Sequence, residues 1–178
     1  CSNNYLGLAN NPLVIKAVKD AVGKYGWGAG ASRLVSGNMR LHEVLEGEIS
    51  RLKGKEASIV FPTGYMANIG TISSLVSKGD LVICDKLNHA SIIDGCRLSE
   101  ADFRVYPHCD MKKLENILKK ATKYSRKLIV TDTVFSMDGD IAPLPDIVGI
   151  ARKYKAMVMA DEAHGTGVFG KRGGGVVE

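Results

Sequence analysis

The stretch that decides the fold is Ala156-Met157-Val158-Met159-Ala160, which runs directly into Asp161-Glu162-Ala163-His164-Gly165-Thr166-Gly167. The apolar part is typical of a buried strand, so the carboxylate and the imidazole lie where that strand would open into a crevice. Burying an ionised carboxylate there costs roughly several kcal/mol unless a cation or strong donors face it. No basic residue lies within two positions of Asp161. We therefore expect a bound ligand to face Asp161 with a protonated heteroaromatic nitrogen, and His164 to contact the same ring.

The rest of the chain alternates between strand-like and helix-like segments. Apolar runs predict strands over residues 57–61, 81–84, 103–106, 128–134 and 156–160. Helical periodicity predicts helices from 12 to about 25, 41 to 53, 65 to 77, 91 to 99, 111 to 118 and 144 to 154. Such alternation predicts an α/β fold, a three-layer αβα sandwich with a mainly parallel sheet. Ligands of open parallel sheets bind at the carboxyl ends of the strands.

Three more polar clusters each follow a predicted strand. Pro62-Thr63-Gly64-Tyr65 opens a helix, whose free amides attract phosphate, although the same sequence suits an ordinary turn. His89 would stack on a flat ring or transfer a proton, or else cap the next helix. Ser136 would donate to a ring oxygen, or belong to a simple acidic turn. Because four groups come from four strand ends, their convergence favours one shared site.

A glycine-rich segment, Gly26-Trp27-Gly28-Ala29-Gly30-Ala31-Ser32-Arg33, invites comparison with a dinucleotide fingerprint. The fingerprint needs a third glycine three residues after the second, and Arg33 occupies that position. The segment also follows a helix, whereas the fingerprint follows a strand. The pattern therefore argues against a nucleotide-dependent oxidoreductase.

The charge distribution limits the classes of partner. The chain of 178 residues has 24 basic and 19 acidic residues, a formal charge of +5, without a block of like charges typical of a nucleic-acid arm. We expect no nucleic-acid partner, and no run reaches the roughly 18 apolar residues of a membrane span. A mildly positive field favours anionic small molecules such as phosphorylated cofactors or coenzyme A thioesters.

The four cysteines, Cys1, Cys84, Cys96 and Cys109, form no C-x-x-C pair. This usage suits reduced thiols in a cytoplasmic enzyme. His108 and Cys109 would make half of a metal site, but no second close pair accompanies them. We therefore predict a loop before a helix cap there, and no metal.

Five motifs together resemble the α-oxoamine synthases, pyridoxal-phosphate enzymes of the aspartate-aminotransferase fold. They occur in order along the chain as Asn3-Asn4-Tyr5-Leu6-Gly7-Leu8, Gly30-Ala31-Ser32-Arg33-Leu34-Val35-Ser36-Gly37, Leu87-Asn88-His89-Ala90-Ser91, Val134-Phe135-Ser136-Met137-Asp138-Gly139-Asp140 and Asp161-Glu162-Ala163-His164-Gly165-Thr166-Gly167. One motif alone would be weak evidence, whereas five in register are strong. The large domain of that fold is what the resemblance implies for this chain.

The resemblance also implies roles for individual residues. Asp161 would pair with the protonated pyridine nitrogen, a partner that keeps the ring an electron sink. His164 and Ser136 would contact the phenolic oxygen, and His89 would stack over the ring. The phosphate would lie at Thr63, Gly64 and Tyr65, and the substrate near Asn3 and Ser32. His89, Asp161 and His164 are the catalytic candidates.

The activity implied by the resemblance is a decarboxylating condensation of a small amino acid with an acyl thioester carried by coenzyme A or an acyl carrier protein. The motifs fit alanine with a pimeloyl thioester, and, as alternatives, glycine with acetyl-CoA or a non-catalytic subunit of the same fold. The resemblance implies a cytoplasmic homodimer in which residues 1–40 form an N-terminal substrate and dimer-contact region, and 41–178 the first part of the cofactor domain.

The family's Schiff-base lysine lies on a later strand than any in this sequence. We therefore expect the chain to be part of a longer polypeptide, and this segment alone to be inactive. Lys171 is close to Asp161 in sequence, too close to match the family position. We expect it to be a solvated loop residue.

Overall fold

A parallel sheet of four strands forms the centre of the molecule. The structure, a computed structural model, describes residues 2–178, so that Cys1 falls outside the described residues. The strands are β1 (Leu81–Asp85), β2 (Asp102–Tyr106), β3 (Lys127–Asp132) and β4 (Met157–Asp161). Their order across the sheet is β2-β1-β3-β4, and every neighbouring pair is parallel. The chain therefore changes direction across the sheet between β1 and β3, where ligands of such sheets bind.

Six helices accompany the strands in the described part of the chain. They are α1 (Pro12–Tyr25), α2 (Arg40–Lys53), α3 (Gly64–Leu75), α4 (Ala90–Leu98), α5 (Met111–Lys119) and α6 (Leu144–Lys153). Asn11 caps α1 by accepting from the amide of Leu13, and Asp110 caps α5 by accepting from that of Lys113. Both starts agree with the sequence, since a side-chain oxygen satisfies a first-turn amide that has no helical acceptor.

The core consists of two apolar layers, one on each face of the sheet. Successive side chains of β1 alternate between them: Leu81 and Ile83 pack in the layer of α5 and α6, and Val82 and Cys84 pack in the layer of α3 and α4. Each fully buried aliphatic side chain contributes about 1.5–3 kcal/mol relative to exposure. The predicted three-layer αβα sandwich is thus confirmed.

One predicted strand does not form. Residues 57–61 form no helix or strand and pair with no strand among residues 2–178. The Val60 backbone is hydrogen-bonded to side chains and not to a strand. Its amide donates to Glu46 Oε1 at 2.9 Å, and its carbonyl accepts from Arg33 at 3.1 Å. An apolar run predicts an extended backbone, but a strand also needs a neighbour to pair with.

The N-terminal helices differ from the sheet because they bury almost nothing. Neither α1 nor α2 contains a buried residue, and between them Trp27 and Leu34 are 89% and 98% exposed. Exposed apolar patches of this kind mark contact surfaces. None of the helices in residues 2–178 combines the length and apolarity that a bilayer crossing requires.

Candidate functional site

A cavity of about 700 Å³ opens at the carboxyl ends of the strands. Its lining includes six of the predicted residues, namely Asn3, Gly64, Tyr65, His89, Asp161 and His164. They come from the N-terminal segment, from α3 and from the loops after β1 and β4. The structure thus brings together groups that are up to 161 positions apart in sequence. The volume is ordinary for a small-molecule site.

Asp161 ends β4 with its carboxylate held by two neutral donors. The Asn68 amide donates to Oδ2 at 2.8 Å, and the amide of Ala163 donates to Oδ1 at 2.9 Å. Within residues 2–178, no lysine, arginine or histidine nitrogen lies within 4.0 Å of this carboxylate. Asp161 is therefore oriented by the chain but not neutralised by it.

His89 precedes α4 and serves as its N-cap. Its Nδ1 accepts from the amide of Ser91 at 3.2 Å and lies 2.7 Å from the Ser91 hydroxyl. Its own amide donates to Asp132 Oδ2 at 2.9 Å. The predicted helix cap is thus confirmed, and the imidazole also lines the cavity, so its predicted stacking or proton-transfer role stays a prediction.

Asp132 ends β3 and also lines the cavity. Its Oδ2 accepts from the Asn88 side chain at 2.8 Å as well as from the His89 amide. Burial raises the pKa of this carboxyl, hydrogen bonds from His89 and Asn88 lower it in part, and the charge of Asp161 adds to the rise. The site therefore contains two carboxyl groups, Asp132 and Asp161, at adjacent strand ends.

His164 lies at the boundary between the main cavity and a smaller one. The Tyr5 hydroxyl lies 2.7 Å from its Nδ1, and Asn3 Oδ1 accepts from the same hydroxyl at 3.4 Å. Because Tyr5 engages Nδ1, Nε2 is the nitrogen left for a ligand. The smaller cavity, of about 220 Å³, is lined by Tyr5, His164 and Ser136 among others. Ser136 therefore lines the smaller cavity and not the main one. Tyr5 and His164 line both cavities.

The start of α3 has the geometry expected of an anion site. Thr63 is the N-cap, and its hydroxyl accepts from the Met66 amide at 3.1 Å. The amides of Gly64 and Tyr65 belong to the first turn and have no acceptor within the helix. Gly64 and Tyr65 line the cavity, whereas Thr63 does not. The Tyr65 hydroxyl donates to Asp94 at 2.7 Å, which fixes the ring beside the cavity.

Ser32 is not brought into this site. It is exposed in the glycine-rich segment, and its hydroxyl accepts from the Leu34 amide at 3.3 Å within its own turn. It lines none of the cavities described here. Its predicted substrate role therefore stays a prediction.

Sequence reasoning gave no role to several residues of the site, among them four polar ones that hydrogen-bond to predicted residues or to their hydrogen-bond partners. Asn68, Ser91 and Asp132 line the main cavity, and Tyr5 lines both cavities. Ser91 and Tyr5 lie within motifs quoted in the sequence analysis. The available signal was the motif itself, in which Ser91 lies two residues from His89 and Tyr5 two residues from Asn3. Asn68 and Asp132 are buried polar residues at a helix and a strand end, and apolar periodicity does not mark them.

The amino groups near the site are already engaged or exposed. Lys53 Nζ lies 3.3 Å from Glu162 Oε2 and donates to Thr166 Oγ1 at 2.7 Å and to the Gly174 carbonyl at 2.9 Å. Lys171 is exposed, as predicted. Lys53 therefore connects α2 to the segment after β4.

His108 and Cys109 gain a third neighbour that the sequence did not reveal. Donor atoms of Asp85, His108 and Cys109 lie within 4.8 Å of one another. Asp85 accepts from His108 Nδ1 at 3.0 Å, and Asp140 accepts from Nε2 at 2.9 Å. Both ring nitrogens donate to carboxylates, which is the arrangement of an imidazolium and not of a metal ligand. Burial raises the pKa of the Cys109 thiol to about 11, so the sulfur keeps its proton.

The donor set fits a phosphorylated pyridine ring. Asp161 supplies a carboxylate without a cation, α3 supplies two free amides, and His164 offers one unengaged ring nitrogen. The His89 imidazole lines the same cavity and presents an aromatic face. These groups match the nitrogen, the phosphate and the polar substituent of one ring.

Comparison with known proteins agrees with this geometry. The chain is 57% identical over 178 residues to the 8-amino-7-oxononanoate synthase of Geobacter sulfurreducens, covering 100% of the chain and 46% of that protein. A serine palmitoyltransferase variant from S. paucimobilis, solved with PLP and myriocin bound, superposes with a TM-score of 0.97 at 44% identity, over 99% of the chain and 44% of that protein. The 8-amino-7-oxononanoate synthase of Francisella tularensis superposes with a TM-score of 0.82 at 32% identity, over 99% and 48%.

The chain spans about half the length of the curated relatives it matches. These relatives and solved structures confirm the resemblance predicted from the five motifs. The family model for aminotransferase class I and II matches residues 1–176. With a matching sheet, strand-end site and family model over nearly its whole length, the chain belongs to the aminotransferase class I and II family.

Proposed function

We propose that the protein containing this chain is a pyridoxal-phosphate-dependent acyltransferase. It condenses a small amino acid with an acyl thioester and releases carbon dioxide. The single observation that carries the proposal is the Asp161 carboxylate, which lines the cavity with only neutral donors on its oxygens. Pyridoxal phosphate, when bound, supplies an electron sink for the substrate carbanion.

The residues of this chain prepare the site for that chemistry. Asp161 would hold the proton on the pyridine nitrogen, because a carboxylate stabilises an adjacent cation. The amides of Gly64 and Tyr65 would bind the phosphate at the start of α3. His164 would present Nε2 to the phenolic oxygen, with Ser136 beside it in the adjoining cavity. His89, which lines the cavity, would stack on the ring.

We assign alanine and a pimeloyl thioester, carried by coenzyme A or an acyl carrier protein, as the substrates. The support is the identity of 57% and 58% to two proteins named 8-amino-7-oxononanoate synthase. Of the two solved structures compared, the serine palmitoyltransferase superposes better, with a TM-score of 0.97 against 0.82. Its identity to the chain is 44%, which is lower than the 57% and 58% of the two curated 8-amino-7-oxononanoate synthases. Glycine with acetyl-CoA remains the alternative substrate pair.

A homodimer is part of the same proposal. Residues 2–40 include α1, which buries no side chain, and the strongly exposed Trp27 and Leu34. A second copy of the chain and the remaining length of the protein would cover these apolar groups. We accordingly assign residues 1–40 to substrate and dimer contacts and residues 41–178 to the cofactor domain.

The cytoplasm is the compartment we propose. Cys84 and Cys96 are buried and unbridged, and Cys109 is also a free thiol. Free thiols of this kind persist in a reducing compartment.

The test uses the full-length protein, purified with pyridoxal phosphate. We expect a visible absorption band that borohydride abolishes, and release of free thiol and carbon dioxide from alanine and pimeloyl-CoA. Glycine with acetyl-CoA and serine with palmitoyl-CoA are the matched comparisons. A missing band, or one that survives borohydride, refutes the cofactor. A preference for either comparison pair overturns the substrates, and a bound cofactor without turnover of any pair indicates a non-catalytic subunit.

A further inference from the structure

A continuous chain of hydrogen bonds connects two ionisable groups of the cavity, Asp161 and His89. Asn68 Nδ2 donates to Asp161 Oδ2 at 2.8 Å and to Ser91 Oγ at 2.9 Å. Ser91 Oγ in turn lies 2.7 Å from His89 Nδ1. Asn68 is 6% exposed and Ser91 is 0% exposed, so water does not compete for the two central members. The motifs of the family assign a role to Asp161 and to His89, but none to the link between them.

The direction of each bond follows from the groups at its ends. A carboxylate only accepts, so the Asn68 side chain must turn its nitrogen to Asp161. That nitrogen has two hydrogens, and the second points to Ser91 Oγ. The hydroxyl therefore accepts from Asn68 and is free to give its single hydrogen to His89 Nδ1.

A second donor favours the form of His89 in which Nδ1 has no hydrogen. The backbone amide of Ser91 donates to the same nitrogen at 3.2 Å as part of the α4 cap. A nitrogen that accepts from two donors carries a lone pair and not a hydrogen. The proton of the neutral imidazole is thereby placed on Nε2.

We propose that Asn68 and Ser91 are positioning residues that hold His89 in the neutral Nε2–H form and orient the Asp161 carboxylate. This inference rests on the proposed function for its catalytic meaning. In that reaction His89 presents a hydrogen-bond donor from Nε2 and is not the base that takes the substrate proton. The relay formed by Asn68 and Ser91 links the two groups: Asn68 donates to Asp161 and to Ser91, and Ser91 in turn contacts His89.

The direct test is solid-state nitrogen NMR on the full-length holoenzyme labelled with ¹⁵N-histidine. The His89 signals are assigned by their loss in His89→Asn. We expect a protonated Nε2 and an unprotonated Nδ1 near neutral pH. A protonated Nδ1 in the unmodified enzyme overturns the proposal.

Ser91→Ala removes the hydroxyl donor and keeps the backbone cap. We expect a weaker preference for the Nε2–H tautomer of His89, because only the Ser91 backbone amide still donates to Nδ1. We also expect a kcat lowered roughly five- to tenfold with KM nearly unchanged, as for the loss of one hydrogen bond. Ser91→Thr keeps the hydroxyl and should restore the single tautomer. Unchanged tautomer and kcat in a folded Ser91→Ala enzyme would contradict the relay.

The matched control is Ser99→Ala, which removes another buried hydroxyl at the end of α4. The Ser99 hydroxyl donates to the Cys96 carbonyl at 2.7 Å and does not line the cavity. This variant should leave the His89 signals and kcat unchanged. An equal loss of kcat in both variants would mean that Ser91 acts only through helix stability.

Asn68→Ala tests the other end of the relay. It should alter the visible absorption of the bound cofactor, because Asp161 loses its side-chain donor. It should also weaken the His89 tautomer preference, because the Ser91 hydroxyl loses the Asn68 donor that orients it. An unchanged absorption band would remove Asn68 from the positioning of Asp161. The NMR readout does not depend on turnover, so failure of the proposed acyl transfer and failure of the relay are separate results.

Discussion

Two aspartates end parallel strands of the same sheet, β1 and β4, which are separated by β3, and their surroundings differ. Asp85 ends β1, is 1% exposed, and accepts from His108 Nδ1 and from the amides of Leu87 and Cys109. Asp161 ends β4 and, within residues 2–178, accepts only from an amide side chain and a backbone amide. One acid has its cation within the chain, and the other faces a cavity without one. An acid at a strand end is structural when the chain neutralises it and a ligand site when it does not.

Replacing the acid that faces the cavity should have the largest effect on activity. Asp161→Asn keeps the shape but removes the charge that holds a proton on the pyridine nitrogen. We expect kcat of the full-length enzyme to fall by about 10²–10³-fold, the range for losing one preorganised electrostatic partner. The urea midpoint should change little. A near-normal rate would remove Asp161 from the mechanism and erase its difference from Asp85.

Replacing the other acid should mainly reduce stability. Asp85→Asn leaves the His108 cation without its buried carboxylate and weakens the bond to the Cys109 amide. We expect the free energy of unfolding to fall by about 3 kcal/mol, at the lower end of the range for a broken buried pair because Asp140 still faces His108. Urea unfolding of Asp85→Asn and Asp161→Asn, side by side, is the measurement. Equal losses in the two variants would contradict the comparison.

The pH dependence of stability should identify His108 as the partner of Asp85. Burial lowers the pKa of His108, but the hydrogen bonds and charges of Asp85 and Asp140 outweigh it, so the pKa is raised overall. A group whose pKa is raised in the folded state contributes its full stabilisation below its unfolded-state pKa, which is about 6.5 for histidine. This contribution is lost as pH rises through the folded-state pKa. Urea unfolding should therefore show stability falling with pH above about 6.5.

The control for that pH profile is His108→Asn, which should abolish its downward slope and lower stability most at acidic pH. The remaining titrating groups are common to both proteins, so the difference between the two profiles isolates His108. A difference that is flat across this range would mean that the imidazole is neutral in the folded protein. His108 also packs edge-on against Phe135 with ring centroids 4.5 Å apart, so a pH-independent loss is expected besides.

Local patterns were enough to predict most of the fold. The helices predicted from residues 12 and 111 begin at Pro12 and Met111, directly after the caps Asn11 and Asp110, because a helix start depends on residues close in sequence. The strand predicted at 57–61 was wrong because strand pairing depends on residues distant in sequence. The Val60 backbone bonds to Glu46 and Arg33 and not to a strand. Hydrophobic runs report an extended chain, and only the assembled sheet decides its neighbours.

The candidate site was predictable only in part, for a similar reason. Residues that follow strands, such as His89 and Asp161, could be placed because parallel strands end at one edge. The donors that define their states could not, since Asn68 reaches Asp161 across 93 positions and His108 reaches Asp85 across 23. Nothing in the local sequence says which of two aspartates has a cation.

The smallest expected effect concerns the cation that the sequence itself suggests. Lys86 follows Asp85 directly, but its side chain is exposed and forms no ion pair within residues 2–178. Lys86→Ala should therefore change the free energy of unfolding by less than about 0.5 kcal/mol, as for most surface substitutions. A loss comparable to that of Asp85→Asn in urea unfolding would mean that sequence proximity, and not the fold, chooses the partner of a buried acid.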